Sequence, residues 1–259
     1  MWLVVSIVVF GLLLGGMLLL AWTWRWGVRW GATPEEFSMP TIGDRWLEGG
    51  PRVKVRMTRA VWIDAPAERV WPWIAQMGRG AGWYSYDRLD NGGRTSARHL
   101  VSWIPEPQLG DAAPIGYLRH LEPGRELAWW LGGGRFFGAY LRSVMLYRVT
   151  ADGLRCRLLA RMQADARGRL AIPACWTYRI VDSIMARRQL LGIKRRAERF
   201  GTRREDPEHP ENGEQDQFQL YHALFACGEQ AGVTGHGDAP LWRRAAIEDG
   251  VIGGQAVEG

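Results

Sequence analysis

The sequence predicts an α+β domain carried on one N-terminal transmembrane helix, and three features of the chain lead there. No ionisable side chain occurs from Met1 to Trp24. Between Arg52 and Ala164 several stretches place apolar residues at every second position, the period of half-buried strands. A long segment of helical character, Ala174 to Phe200, then closes the part with regular pattern.

The apolar run from Trp2 to Trp24 matches the roughly 20 residues that a bilayer-spanning helix needs. A secretory signal would carry a basic residue before a shorter apolar core and a small-x-small cleavage site. Here no Lys or Arg precedes the run, and Ala21-Trp22-Thr23-Trp24 is a poor cleavage site. Trp22, Trp24, Trp26 and Trp30 cluster with Arg25 and Arg29, the composition of an interfacial belt. Those two arginines follow the helix and nothing basic precedes it. The positive-inside rule therefore predicts a single-pass protein of the inner membrane with its domain in the cytoplasm.

Of the 259 residues, 33 are basic and 27 acidic, for a net charge of +6. A basic excess suits nucleic acid or an anionic membrane face. A tethered domain without a recognition motif favours the membrane, so no nucleic-acid partner is expected. Cys156, Cys175 and Cys227 are few, odd in number and far apart, which argues for buried thiols rather than a disulfide framework. The histidines lack metal-ligand spacing, and neither a metal nor a cofactor is expected. Protein partners are not legible.

Residues 27–51 read as an irregular juxtamembrane linker punctuated by Pro34, Pro40, Gly43, Gly49 and Gly50. Val53, Val55, Met57, Val61 and Ile63 share one parity and predict the first strand. Asp64-Ala-Pro66-Ala-Glu68 opens a helix, with Val70, Trp71, Ile74 and Met77 as its apolar stripe. Pro72 keeps that helix short or kinked. Gly78-Arg-Gly80-Ala-Gly82 follows a helix instead of a strand, so it predicts a sharp turn and not a phosphate loop.

Further on, Glu122 to Arg125 and Asp152-Gly153 are hairpin turns. They join Ile115–Leu121 to Glu126–Leu131, and Leu141–Thr150 to Leu154–Ala164. In the last of these strands Arg155, Arg157 and Arg161 alternate with apolar residues, predicting a sheet with one wet face. Trp176, Ile180, Ile184 and Leu191 mark the apolar side of the closing helix, whose second half is strongly basic. Residues 201–259 read as a flexible tail with one short amphipathic helix around Phe218 to Phe225.

Three segments resemble the SRPBCC superfamily, the group of START domains, polyketide cyclases and birch-pollen allergens, and especially its membrane-anchored bacterial members. They are Ile63 to Gly78 running into Trp83-Tyr-Ser-Tyr-Asp87, Ile104-Pro-Glu-Pro-Gln-Leu-Gly-Asp111, and Met185 to Glu198. The resemblance covers about residues 52–200. It implies a helix-grip fold, a curved antiparallel sheet wrapped around a long C-terminal helix, with a cavity between them for an apolar molecule.

On that expectation, Trp83, Tyr84, Tyr86, Trp103, Tyr117, Trp129, Tyr140 and Tyr147 are the candidate ligand-binding residues. Trp130, Phe136 and Phe137 belong to the same aromatic load. A membrane-tethered binding module for a lipid-like or polyketide-like ligand is the first reading. An enzyme of the cyclase or hydrolase kind ranks second, with Tyr86, Asp87 and His99 as candidates for catalysis. Arg25, Arg29, Arg187, Arg188, Lys194 and Arg195 are the candidate membrane-surface residues.

Overall fold

In a computed structural model, residues 2–22, 26–50, 53–113, 116–136, 138–199 and 204–205 are described. Trp24, Arg25, Phe137 and nearly all of the tail, with its expected short helix, lie outside them. Helix α1 (Trp2–Trp22) is the one helix among the described residues that is long and apolar enough to cross a membrane. None of its apolar stretch is buried against the domain.

The domain follows as α2 (Pro34–Ser38), α3 (Ile42–Trp46), β1 (Val53–Ile63), α4 (Ala67–Ala75) and α5 (Asp87–Asp90). Strands β2 (Leu100–Val101), β3 (Ala112–Ala113), β4 (Gly116–Glu122), β5 (Glu126–Phe136), β6 (Ala139–Asp152) and β7 (Arg155–Arg167) come next. Helix α6 (Ala171–Arg199) and the short β8 (Arg204–Glu205) complete the order. One six-stranded antiparallel sheet among the described residues runs β1-β7-β6-β5-β4-β3. Bulges in β4 after Leu118 and in β5 after Leu131 bend it. The mixed α+β fold, with a curved sheet and a long helix packed over β1 and β7, is therefore as the sequence predicts.

Strand periodicity divides the sheet into two faces. Met57, Arg59, Ile63, Trp129, Met145, Tyr147, Leu158 and Met162 face α4 and α6. Thr58, Ala60, Tyr117, Trp130, Val144, Leu146 and Leu159 face the other way. Helix α4 adds Val70, Trp71 and Ile74 as predicted, with Met77 just past its end. Trp73, which the stripe had missed, is also fully buried.

The outer face is not wet, which corrects the reading of β7. Residues 26–50 wrap it as a strap, and a second apolar cluster forms where Met39, Ile42, Trp46 and Leu47 cover Tyr117, Trp130 and Leu146. Trp46 meets Trp130 edge-on at 6.0 Å. Helix α2 begins at a capping box in which Thr33 and Glu36 satisfy each other's backbone N–H groups. Two outward arginines of β7, Arg157 and Arg161, then find acceptors in this strap. Arg157 bonds both carboxylate oxygens of Glu36 at 2.8 Å. Arg161, fully buried, donates to Thr58 Oγ1 at 2.9 Å and to the carbonyls of Glu36, Phe37 and Met39. Gln163 bridges Thr41 and Asp44 at 2.8 and 2.7 Å.

The chain enters the strap along the free edge of β1. Thr58 N donates to Val28 O at 2.8 Å and Ala60 N to Trp30 O at 3.1 Å. These bonds cover what would otherwise be an open strand edge.

The bond from Arg157 holds the Glu36 carboxyl below its ordinary range. A depressed carboxyl stabilises the folded state above its unfolded pKa, and that contribution is lost as pH falls through the folded value. Hydrogen exchange of residues 33–47 is therefore expected to accelerate, ahead of α6, on acidification below about pH 4. Glu36→Gln should remove that acid step.

Candidate functional site

The helix face of the sheet carries the candidate site, a polar seam set in an apolar floor beneath α6. The buried side of α6 is made largely of small and polar residues: Ala174, Cys175, Ser183, Ala186, Gln189 and Gly192, with Tyr178, Leu190 and Ile193 as its bulk. Small residues allow a close approach. A Cβ on Gly192 would stand 2.3 Å from the Tyr84 carbonyl oxygen. Leu191 is half-buried and Ile184 exposed, so the helix buries a different side from the one its most hydrophobic residues marked.

Polar pins hold α6 down along this side. Arg59, 1% exposed, donates to Asp182 Oδ2 at 2.5 Å, to Ser183 Oγ at 3.2 Å and to the Gly27 carbonyl at 2.6 Å. Tyr147 donates to Gln189 Oε1 at 2.6 Å. Burial, with Asp182 close by, pushes the Tyr147 phenol well above its ordinary pKa, so it acts as a neutral donor. The Ser85 hydroxyl donates to Met185 O at 3.0 Å, and Arg188 holds Ser85 O at 2.9 Å.

Two polar groups here have no hydrogen-bond partner among the described residues: Trp129 Nε1, and both carboxyl oxygens of Asp90. Asp90 ends the short helix α5, and its charge is felt at Tyr147. Burial pushes its carboxyl up to about 7, offset in part by the nearby Ser85 hydroxyl and reinforced by the Asp87 carboxylate. A carboxyl of this kind is about half protonated at neutral pH and can give or take a proton there.

The sequence-predicted residues divide between the two faces. Trp129 and Tyr147 lie on the helix face, and Trp83 and Tyr84 join the same core. All four are 0–4% exposed, so they fill space and line no void that water can enter. The glycine turn serves these rings. Gly78 (φ +74°) backs onto the Trp83 indole and Gly80 (φ +104°) onto that of half-buried Trp103, where a Cβ would stand 2.4 and 2.5 Å away. Tyr84 itself adopts φ +59° and accepts a hydrogen bond from Gln76 at 2.7 Å.

Tyr117 and Tyr140 belong to the outer face, against the expectation that they border the space under α6. Tyr117 pairs with Trp130 beneath the strap, and Tyr140 shares the parity of Val144 and stacks with Arg167 at 4.3 Å. Tyr86 is half-buried under the Arg188 guanidinium at 4.4 Å.

Among the catalytic candidates, Asp87 accepts from Ser96 N and Oγ at 3.2 and 2.5 Å, which makes it a loop clamp. The carbonyl of His99 accepts a long bond from Gln76. Asp90, which the sequence reading passed over, is the acid that the fold sets apart. No group of residues that could hold a metal occurs among the described residues. The Cys156 and Cys175 thiols are buried and pushed up to about 11 by that burial, which leaves them unreactive at neutral pH.

Since Asp90 is raised when folded, it binds its proton more tightly in the folded than in the unfolded chain. Its effect on stability is neutral below about pH 4 and becomes a growing penalty as pH rises towards 7. Asp90→Asn should therefore gain on the wild type between pH 4 and 8, by on the order of 2 kcal/mol once partial exposure is allowed for. Paired denaturant titrations at the two pH values measure this difference directly.

No protein-family model matches the chain, and no curated protein does. Solved structures do resemble it. The aromatase/cyclase Zhui from Streptomyces sp. R1128 is 16% identical, covering 56% of this chain and 94% of its own, with a TM-score of 0.34. The Polyketide_cyc-like protein Cgl2372 from Corynebacterium glutamicum is 14% identical over 56% and 92%, with a TM-score of 0.36. A conserved protein from Geobacillus kaustophilus is 11% identical over 55% and 95%, also at 0.36. At these values the likenesses carry no argument about activity.

Proposed function

We propose that the domain takes up an apolar or amphipathic small molecule between its sheet and α6, and does so at the membrane that α1 crosses. The observation that carries this reading is that Trp129 Nε1 and the Asp90 carboxyl oxygens are buried without a hydrogen-bond partner among the described residues, whereas the polar pins under α6 are paired. Buried polar atoms in native proteins are nearly always satisfied, so exceptions ask for a reason. An apolar pocket with a few placed donors is the usual form of a small-molecule site. A carbonyl or hydroxyl oxygen on the ligand would accept from Trp129 and exchange a hydrogen bond with Asp90.

Because the aromatic residues are close-packed, uptake requires α6 to lift from the sheet. Its side of small residues and polar pins suits that motion better than a side of interlocking leucines would. Apparent affinity is then reduced by the fraction of time the helix is raised. Tethering offsets this by holding the domain at the source of an apolar ligand. The sidedness read from Arg25 and Arg29 puts the domain on the cytoplasmic side of the inner membrane.

The experiment is a titration of the full chain in mild detergent with two probes, a fluorescent fatty acid and a polycyclic phenol. Saturable one-to-one binding by either is expected, weakened about tenfold by Trp129→Phe, which deletes the donor and keeps an aromatic ring. Linear, non-saturating partition of both probes would count against the reading. The enzyme alternative draws on the Asp90 proton: Asp90→Asn that keeps binding and loses conversion of the probe would favour it.

A further inference from the structure

Helix α6 carries an apolar stripe along a flank next to its buried side. Ile172, Trp176, Ile180 and Ile184 recur at four-residue spacing and so lie along one flank of the helix. Ile172 is 62% and Ile184 43% exposed, with Val181 beside them at 41% and Trp176 and Ile180 half-buried. A helix that spends its small and polar residues on the core and leaves isoleucines outside reverses the usual arrangement. The charge around the stripe has one sign. Between Ala166 and Ala197 the basic residues are Arg167, Arg169, Arg179, Arg187, Arg188, Lys194, Arg195 and Arg196, against the single acid Asp182. Asp182 is already bonded to Arg59.

The stripe sits beside the exit of the anchor. Trp176, Ile180, Ser183 and Arg187 follow one another at spacings of four, three and four residues, along one line of the helix. Ser183 is bonded to Arg59, which also holds Gly27 O, and the Arg187 guanidinium lies over the Trp30 ring at 5.2 Å. The upper part of that line therefore touches the segment 27–30, and the same line continues down to Ile180 and Trp176. Five residues separate Trp22, the end of α1, from Val28 on the edge of β1, so the two lie at most about 20 Å apart. Exposed Trp26 lies within that short connection.

We infer that the first half of α6 is a second membrane contact. Ile172, Trp176, Ile180 and Ile184 rest in the headgroup–acyl boundary of the bilayer that α1 crosses, with Arg169 and Arg187 on its anionic phosphates. An apolar flank edged by Trp and Arg, with no free acid, is the composition of an interfacial helix. The contact replaces the basic second half of α6 as the expected membrane face. Lys194 is committed to Trp62 O and Glu198, and Arg196 to Ala97 O and the Tyr84 ring. It also places the helix that must lift against the lipid from which a ligand would come. The inference rests on α1 being a span.

The test uses the full chain in nanodiscs containing anionic lipid, with Cys227→Ser and the two unreactive buried thiols left in place. Single cysteines at Ile172, Ile180 and Ile184 carry an environment-sensitive dye, compared with Phe10→Cys in α1 and Leu154→Cys, which is 90% exposed in the β6–β7 turn. Quenching by shallow spin-labelled lipid several-fold stronger at the three stripe positions than at Leu154, with matching protection from iodide, is the expected result. Stripe labels that behave like Leu154, while Phe10 is quenched by deep spin-labelled lipid, would overturn the inference and leave the anchor standing. A Phe10 label open to iodide would sink the anchor reading itself, and the inference with it. Stripe labels shielded from both quenchers would mean that the 206–259 tail or a second copy of the chain covers the stripe, which also overturns it.

Discussion

Replacing Arg161 with leucine is expected to lower the unfolding free energy by about 4 kcal/mol, because four strap and sheet acceptors lose their buried donor together. Thr58 Oγ1 and the carbonyls of Glu36, Phe37 and Met39 would all be left facing a side chain that offers nothing. For a domain of this size that corresponds to roughly 12 °C in Tm. The loss should be local in its first expression. Hydrogen exchange at residues 33–47 would rise to near the unfolded rate while the β6–β7 ladder stays protected. Arg161→Lys should recover little, since one ammonium group cannot reproduce the fork that spans three carbonyls. An equal loss of protection over strap and sheet would show that the two unfold as one unit and that Arg161 is not a separate clasp.

The second large effect is at Arg59. Arg59→Leu leaves Asp182 charged, only 16% exposed and without its partner, and a broken buried pair of this kind costs about 3 kcal/mol or more. Removing the stranded charge as well should restore most of that loss. The double variant Arg59→Leu/Asp182→Asn is thus expected to be more stable than Arg59→Leu alone, with a coupling energy on the order of 2 kcal/mol. The same substitution unties Gly27, on the anchor's exit, from α6. Exchange in residues 178–190 should therefore rise even in the double variant. Strictly additive single effects would show that the pair contributes packing alone.

Much of the architecture can be read from the chain. The parity of Val55, Met57 and Ile63 gives β1, Asp152-Gly153 gives the β6–β7 hairpin, and Pro66 opens α4 where expected. The errors share a physical cause, which is that hydrophobicity was equated with burial. Ile184 marks the apolar side of the helix in sequence yet is exposed, because the seam under α6 needs Ala186 for close approach and Gln189 to meet Tyr147. Arg161 is charged yet fully buried, because a strap rich in free carbonyls can bury a guanidinium. A signal of that second layer was present. Val144 and Leu146 on one parity of β6 and Met145 and Tyr147 on the other mark a strand apolar on both sides, which a one-sided sheet does not have. The same test would have placed Tyr140 with Val144, on the outer face. Asp90 was invisible for another reason. Nothing in Asp87-Arg-Leu-Asp90-Asn-Gly-Gly distinguishes a surface turn from one whose last carboxyl is folded inward.

If the space beneath α6 receives an apolar molecule, native mass spectrometry of the full chain released from mild detergent will detect it. One apolar molecule retained per chain, identified by organic extraction and displaced by the better of the two probes, is the expected result. That result includes a drop of the retained fraction in Trp129→Phe. Bare protein from several membrane sources, with no adduct after incubation in a broad panel of lipids and aromatic phenols, would contradict it. The partnerless groups at Trp129 and Asp90 would then belong to a packed core.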